Sequence, residues 1–316
     1  MHNILLRRAS TLMASLFLLV GSLVAGAWIP RVYRLAVETP RQPDLDNHPL
    51  RLIVPSGMDA SCEHALITML SVTGSSIKSE GVPLPVKGDA YSVAADGNKL
   101  YLVIQRAPTV QTDVPGLYRY DLETQRTERL CQLAELSFLG PPDIVAVAGD
   151  IYFVSHDGIA KYCVTTGELA TVHKDTVQGG RGLIAGKDWI AYCPTDTTIR
   201  FWWPGSTATS DEHGNWSDGV QLLGIVGESL IGVNRLDKST VVVNNPKGQK
   251  LPDNQREALL AEKGLADVFD CGLSVWCVHR NRRSDGARID AIGSAGPSGS
   301  VEFYYRNHSA VIRSSR

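Results

Sequence analysis

The stretch Asp143–Lys174, DIVAVAGDIYFVSHDGIAKYCVTTGELATVHK, decides the fold. It holds an apolar run at Ile144–Val147, a glycine turn at Gly149 and a run with aromatics at Ile151–Val154. A loop at Ser155-His156-Asp157 and a third run from Gly158 into a turn at Gly167 follow. Short runs of branched and aromatic residues fit the pleat of a strand, and the turns between them need residues that accept positive φ. The unit therefore reads as a chain of β-hairpins.

Outward from this stretch the same grammar recurs. The first hairpin appears in Tyr91–Val103, Ile144–Val154, Gly182–Cys193, Leu222–Val233 and Val268–Val278. Its turn glycines, Gly97, Gly149, Gly186, Gly227 and Gly272, lie 52, 37, 41 and 45 residues apart. A four-stranded propeller blade repeats every 40 to 50 residues or so, roughly this interval. The second half recurs in phase as Gly116–Gln125, Gly158–Gly167, Thr198–Gly205, Thr240–Gly248 and Arg288–Ala295, and Ala65–Gly74 fits as an earlier sixth member. The pattern predicts an all-β chain, a single β-propeller of six blades with four antiparallel strands each, over residues 50–316. Two β-sandwich domains also give short strands at this spacing, but they seldom keep both hairpins in one phase. Ser300–Arg306 and Ser309–Arg313 read as strands, one of which is expected to close the ring beside Leu50–Val54 and so remove an open edge.

The stretches Asp143–Lys174 and Tyr91–Leu130, the latter with Gly116-Leu-Tyr-Arg-Tyr-Asp-Leu-Glu-Thr124, carry a resemblance. On them the chain resembles six-bladed propellers of the TolB-like group and the lipoprotein-receptor-related propellers, over most of residues 50–313. The resemblance implies an extracytoplasmic propeller that binds partners across one face, and it transfers no catalytic residue. Where receptor propellers carry Tyr-Trp-Thr-Asp, this chain has Leu100-Tyr-Leu-Val103 and Ile151-Tyr-Phe-Val154.

The first thirty residues read differently. Arg7-Arg8 precede an uncharged run from Ala9 to Pro30, which is an export signal, cleaved before Trp28 or kept as a hydrophobic anchor helix. Either outcome places the body outside the cytoplasm, periplasmic, secreted or at the cell surface. Residues 31–49, with Pro40, Pro43 and several charges, read as a linker. A formal net charge of -2 provides no global field for nucleic acid. Six cysteines, Cys62, Cys131, Cys163, Cys193, Cys271 and Cys277, are compatible with disulfides or with buried thiols. Their spacing is not that of a zinc site, and no cofactor motif is present.

In a propeller the loops from second to third strand share a face with the links between blades. Here those loops are 105–115, 155–157, 194–196, 234–239 and 279–287. They place Arg106, His156, Asp157, Asp196, Arg235, Asp237, His279, Arg280, Arg282 and Arg283 on one candidate binding face. The arginine-rich loop suits an acidic protein, a phosphate or an anionic glycan, and equally a solvated tip. His156 and Asp157 have the chemistry of an acid/base pair, but a turn formed by Asp157-Gly158 explains them as well. Adjacent residues on a tight turn seldom serve one reacting atom, and the sequence assigns no nucleophile to act with them and no catalytic residue. The leading expectation is a partner-binding propeller for a protein or glycan. A channel hydrolase or lactonase and a structural subunit of an envelope complex are the alternatives.

Three further stretches carry specific expectations. Thr209–Trp216 approximates an Asp-box turn between third and fourth strands, and Asp211, Glu212, Asn215 and Asp218 lack the spacing of a calcium loop. Pro252–Gly264 predicts a helix capped by Asp253 and stopped by Gly264, its Leu259 and Leu260 covering an edge strand. Asn215-Trp-Ser217 and Asn307-His-Ser309 match the glycan acceptor triplet.

Overall fold

In the computed structural model the described residues are 50–61, 63–73, 76–105, 116–133, 142–178, 182–214, 216, 218–270, 275–280, 286–292, 299–302 and 310–312. All lie within one compact unit, Asp44–Arg316. The strands are antiparallel and are taken up in chain order. β1 (Leu50–Met58), β2 (His64–Thr73) and β3 (Ser76–Lys87) pair in sequence. β4 (Asp89–Asp96), β5 (Lys99–Gln105), β6 (Gly116–Asp121) and β7 (Thr127–Gln132) form the next set, joined to β1 through the single pair Gly57 with Ala90. β8 (Ile144–Val147), β9 (Asp150–Ser155), β10 (Gly158–Tyr162) and β11 (Leu169–Lys174) form a four-stranded sheet. So do β12 (Leu183–Ala185), β13 (Ile190–Thr195), β14 (Thr198–Trp202) and β15 (Thr209–His213).

The next sheet has three strands, β16 (Val220–Val226), β17 (Ser229–Asn234) and β18 (Thr240–Asn244), followed by the helix α1 (Asp253–Ala261). The last has four: β19 (Leu265–Asp270), β20 (Val275–Arg280), β21 (Gly286–Ile292) and β22 (Gly299–Glu302). β23 (Ala310–Ile312) then pairs with β1 at Arg51–Ile53, where the sequence placed the closing strand.

Apolar layers lie between successive sheets, which is why the inner strands are apolar runs and not alternating ones. Tyr101, Val103 and Leu117 pack with Ile151 and Phe153. Tyr152 and Ile159 pack with Tyr192 and Trp202, and Ala191 and Phe201 with Leu222 and Leu230. Ile231 and Val233 meet Val268 and Cys277. The fourth strands, such as Thr127–Gln132 and Leu169–Lys174, are largely exposed or half-buried.

Three expectations are corrected. The β16–β18 sheet has no fourth strand among the described residues, because Asn245–Pro252 carries Pro246, Gly248 and Pro252 where a strand needs ladder donors and side-chain packing. The Asp-box stretch is itself a fourth strand, β15, with Asp211 bonded to Arg200. In α1 the N-cap is Pro252, with no side-chain cap, and Asp253 is the first helical residue. Glu262 ends the helix, and its N–H donates to the Leu259 carbonyl. Leu259 is fully buried in one cluster with Val233 and Val268, whereas Leu260 is 38% exposed. The hydrophobic run 9–30, the linker 31–49, Cys62, Cys271 and Asn215 lie outside the described residues, as does Asn307. No helix among the described residues is long and apolar enough to cross a membrane.

β16 and β19 approach each other closely, and Gly224 permits it. A Cβ built there would fall 2.2 Å from the Val268 carbonyl oxygen. Gly224→Ala is expected to lower stability by about 2 kcal/mol, read as a drop in the chemical denaturation midpoint with an unchanged slope. An unaltered midpoint would show that the two inner strands separate at no cost.

Candidate functional site

Antiparallel pairing puts the end of each second strand beside the start of the first, so second-to-third loops and inter-sheet links emerge together. Hydrogen bonds show this at three of the five loops, 155–157, 194–196 and 234–239. The Asp175 and Val177 N–H groups donate to the carbonyls of Asp157 and His156 at 3.0 and 3.1 Å. Gln178 N–H donates to Pro194, Arg235 N–H to Gly219 and Gly264 N–H to Lys238. Each of these turns is thereby stitched to a link running between sheets.

Within this face the expected residues fall into distinct situations. His156 and Asp157 form the β9–β10 turn, half-buried and exposed respectively, with Gly158 at φ +119° completing it. Asp196 and Arg235 come from different sheets yet meet at one glycine. The Asp196 carboxylate lies 2.9 Å from where a Gly219 Cβ would stand, and the Gly219 carbonyl accepts the Arg235 N–H at 3.0 Å. Asp237 is occupied within its own turn, accepting from the Ser239 hydroxyl at 2.6 Å and N–H at 2.9 Å. Those bonds, the hydroxyl first, hold its carboxyl below the usual range. His279 lies at the end of β20, with Nε2 shielded from solvent and 3.4 Å from Glu262 Oε2, out of hydrogen-bond alignment. Arg280 is the last residue of β20. Arg106, Arg282 and Arg283 lie outside the described residues.

The sequence reading passed over one loop on this face. Asp59, between β1 and β2, accepts from the Ser61 hydroxyl at 2.7 Å and from the N–H groups of Glu63 and His64 at 3.2 Å. These bonds, the serine's first, pull its carboxyl down to about 2. The Glu63 carbonyl in turn accepts from Gly88 N–H, in the link to the next set. An Asp-x-Ser pattern at a turn was the available signal.

A second concavity lies among the innermost strands. A cavity of about 500 Å³ is walled by β4, β8, β12, β16 and β19, through residues such as Val93, Ile144, Leu183 and Ile225. Lys187 and Gly227 at its end belong to first-to-second-strand turns, the end opposite His156-Asp157. Its charged residues among those described are Lys187, Asp267 and Asp270. Asp270 accepts the Gly227 N–H at 2.7 Å, a bond between two sheets. No group of three His, Cys, Asp or Glu side chains able to hold a metal occurs among the described residues.

Cys193 sits beneath the loop face between two sheets, its Sγ 3.7 Å from the Val220 carbonyl. Burial pushes its thiol up to about 12. Cys163 is half-buried, and the Thr166 hydroxyl lowers its thiol.

No family model matches the chain. No curated protein matches it either. Solved structures do. A chain from the crystal structure of a nidogen/laminin complex superposes with a TM-score of 0.55 at 12% identity, over 85% of this chain and 100% of that one. TolB from Acinetobacter baumannii gives a TM-score of 0.56 at 13% identity, over 89% of this chain and 69% of that one. At such identities the likeness speaks to architecture and not to activity. The chain has a β-propeller fold of the kind found in TolB.

Proposed function

We propose that this chain is an exported or membrane-anchored six-bladed β-propeller, without catalytic activity, that binds a protein or glycan partner through its loop face. The blade count rests on five sheets in sequence plus a sixth made of β1–β3 and the returning β23. Export rests on Arg7-Arg8 and the uncharged run that follows them.

One observation carries the binding reading. The Asp196 carboxylate and the Arg235 backbone N–H both lie against Gly219, on a face with three loops stitched to the inter-sheet links, and no ion pair between the two residues is found among the described residues. Opposite charges held by pinned backbone, and not spent on each other, favour recognition of a partner bearing the complementary pair. A matched solved structure, the nidogen/laminin complex, is itself a protein–protein assembly. A hydrolase needs acids converging from several blades. The described lining of the axial cavity brings Asp267 and Asp270 from one strand, which supports the binding reading instead.

The test is a charge reversal on each end of the molecule. Partners are captured on immobilised protein from an extracytoplasmic extract and on a glycan array. Asp196→Lys combined with Arg235→Glu is expected to weaken capture at least tenfold, with less salt dependence. Lys99→Glu, at a turn on the opposite end, should leave it unchanged. Equal loss in both variants, or loss in Lys99→Glu alone, would move the site elsewhere.

A further inference from the structure

β1 is held very unequally on its two edges. To β2 it pairs along its length, from Leu50 opposite Val72 to Met58 opposite Ala65. To β23 it pairs at three positions, Arg51 with Ile312, Leu52 with Val311 and Ile53 with Ala310. The inner strands β4, β8, β12 and β16 each reach a second strand through a short turn, such as the one between Ala185 and Ile190. β23 instead arrives from the far end of the chain, and it also lies against β4. Releasing it forfeits a few ladder bonds, regains the conformational entropy of a short segment and reopens a very long loop. Local release therefore costs far less than unfolding the sheets.

We propose that the inner edge of β1 at Arg51–Ile53 is a strand-acceptor site, and that its exchangeable ligand is the Ala310–Ile312 segment of a second copy of this chain. The same antiparallel register serves in cis and in trans, because the acceptor reads backbone groups and an identical segment. A reciprocal exchange satisfies both copies at once and leaves no open edge, which is the condition for a closed two-fold dimer. In cis, tethering gives the segment an effective concentration near the millimolar range, so the dimer forms at high protein concentration.

The probe is the synthetic peptide NHSAVIRSSR, residues 307–316, with a Val311→Pro version as control. Protein truncated after Glu302 should bind the peptide at least tenfold more tightly than full-length protein, and should not bind the proline control. In full-length protein, those amides of Arg51–Ile53 and Ala310–Ile312 that lie in the β1–β23 ladder should exchange ahead of the β4–β5 hairpin, the amides of β1 directed to β2 should not, and added peptide should slow the former in β1. Sedimentation at rising concentration should show a dimer that the full-length Val311→Pro variant lacks. Equal binding of both peptides, or exchange at these segments solely on global unfolding, overturns the acceptor site. The exchange measurement decides it even where the truncated chain fails to fold. Peptide binding with no dimer at any concentration overturns the second copy as occupant.

Discussion

Gly158→Ala is expected to lose about 3 kcal/mol of stability or more, among the largest effects of any single methyl added to this chain. Gly158 opens β10 at φ +119°, a conformation that side-chain-bearing residues rarely adopt. A Cβ there would also fall 2.0 Å from the His173 carbonyl oxygen and 2.6 Å from the Asp175 nitrogen. Neither neighbour is a yielding side chain. Both belong to the backbone where β11 runs into the link to the next sheet, at an irregularity in the β10–β11 register. Relief requires that link to move, and the link is the one whose N–H groups hold His156 and Asp157 in place. Thermal unfolding should show the loss, and chemical shifts of residues 155–157 should change in the folded variant. Gly205→Ala has positive φ but open space around it, so it should cost about 1 kcal/mol. Equal losses in both would mean that conformation alone, and not the contact, sets the cost.

The second expected result concerns Arg200, which joins three elements. Its Nε donates to Asp211 at 2.6 Å, with a second bond from its terminal nitrogen to the same carboxylate, and it also donates to Asp175 at 2.6 Å. Asp175 accepts the Tyr192 hydroxyl as well. Beside them His173 stacks on Trp202 at 5.2 Å, so the network and an aromatic layer together join β11 to the β12–β15 sheet. Arg200→Met leaves two carboxylates, 14% and 27% exposed, without their counter-charge, at a cost of about 3 kcal/mol. Arg200 holds the Asp211 carboxyl below its ordinary range. A depressed folded-state value stabilises above the unfolded value near 4 and is lost as pH falls through the folded one. Wild-type stability should thus fall more steeply than that of Arg200→Met between about pH 5 and pH 3, in paired denaturant titrations. Parallel curves would show that this pair contributes nothing to acid sensitivity.

The sequence carried the strand plan well, because hairpin periodicity is local. Ile144–Val147, Ile151–Val154 and the Gly158 turn are all where their residue types place them. The five second-to-third loops also fall between the strands expected, and so does the closing pair at Arg51–Ile53. What escaped was set by neighbours distant in sequence. Thr209–His213 resembles a turn motif in composition, yet Arg200 in the adjacent strand draws Asp211 into a ladder. The meeting of Asp196 and Arg235 at Gly219 depends on how two sheets abut, which no spacing encodes. Leu260 was legible as apolar but not as outward-facing, since the helix begins at Asp253 and only Leu259 turns toward Val268.

The thiol of Cys193 offers a clock built into the wall between two sheets. While the sheets are closed the Cys193 sulfur is buried and its thiol is held well above the ordinary range, so alkylating reagents do not reach it. Once the β12–β15 sheet parts from Val220, the sulfur meets water and its reactivity climbs toward that of an ordinary cysteine. The rate of its capture, read at Cys193 itself by peptide mapping, thus times the parting of that seam.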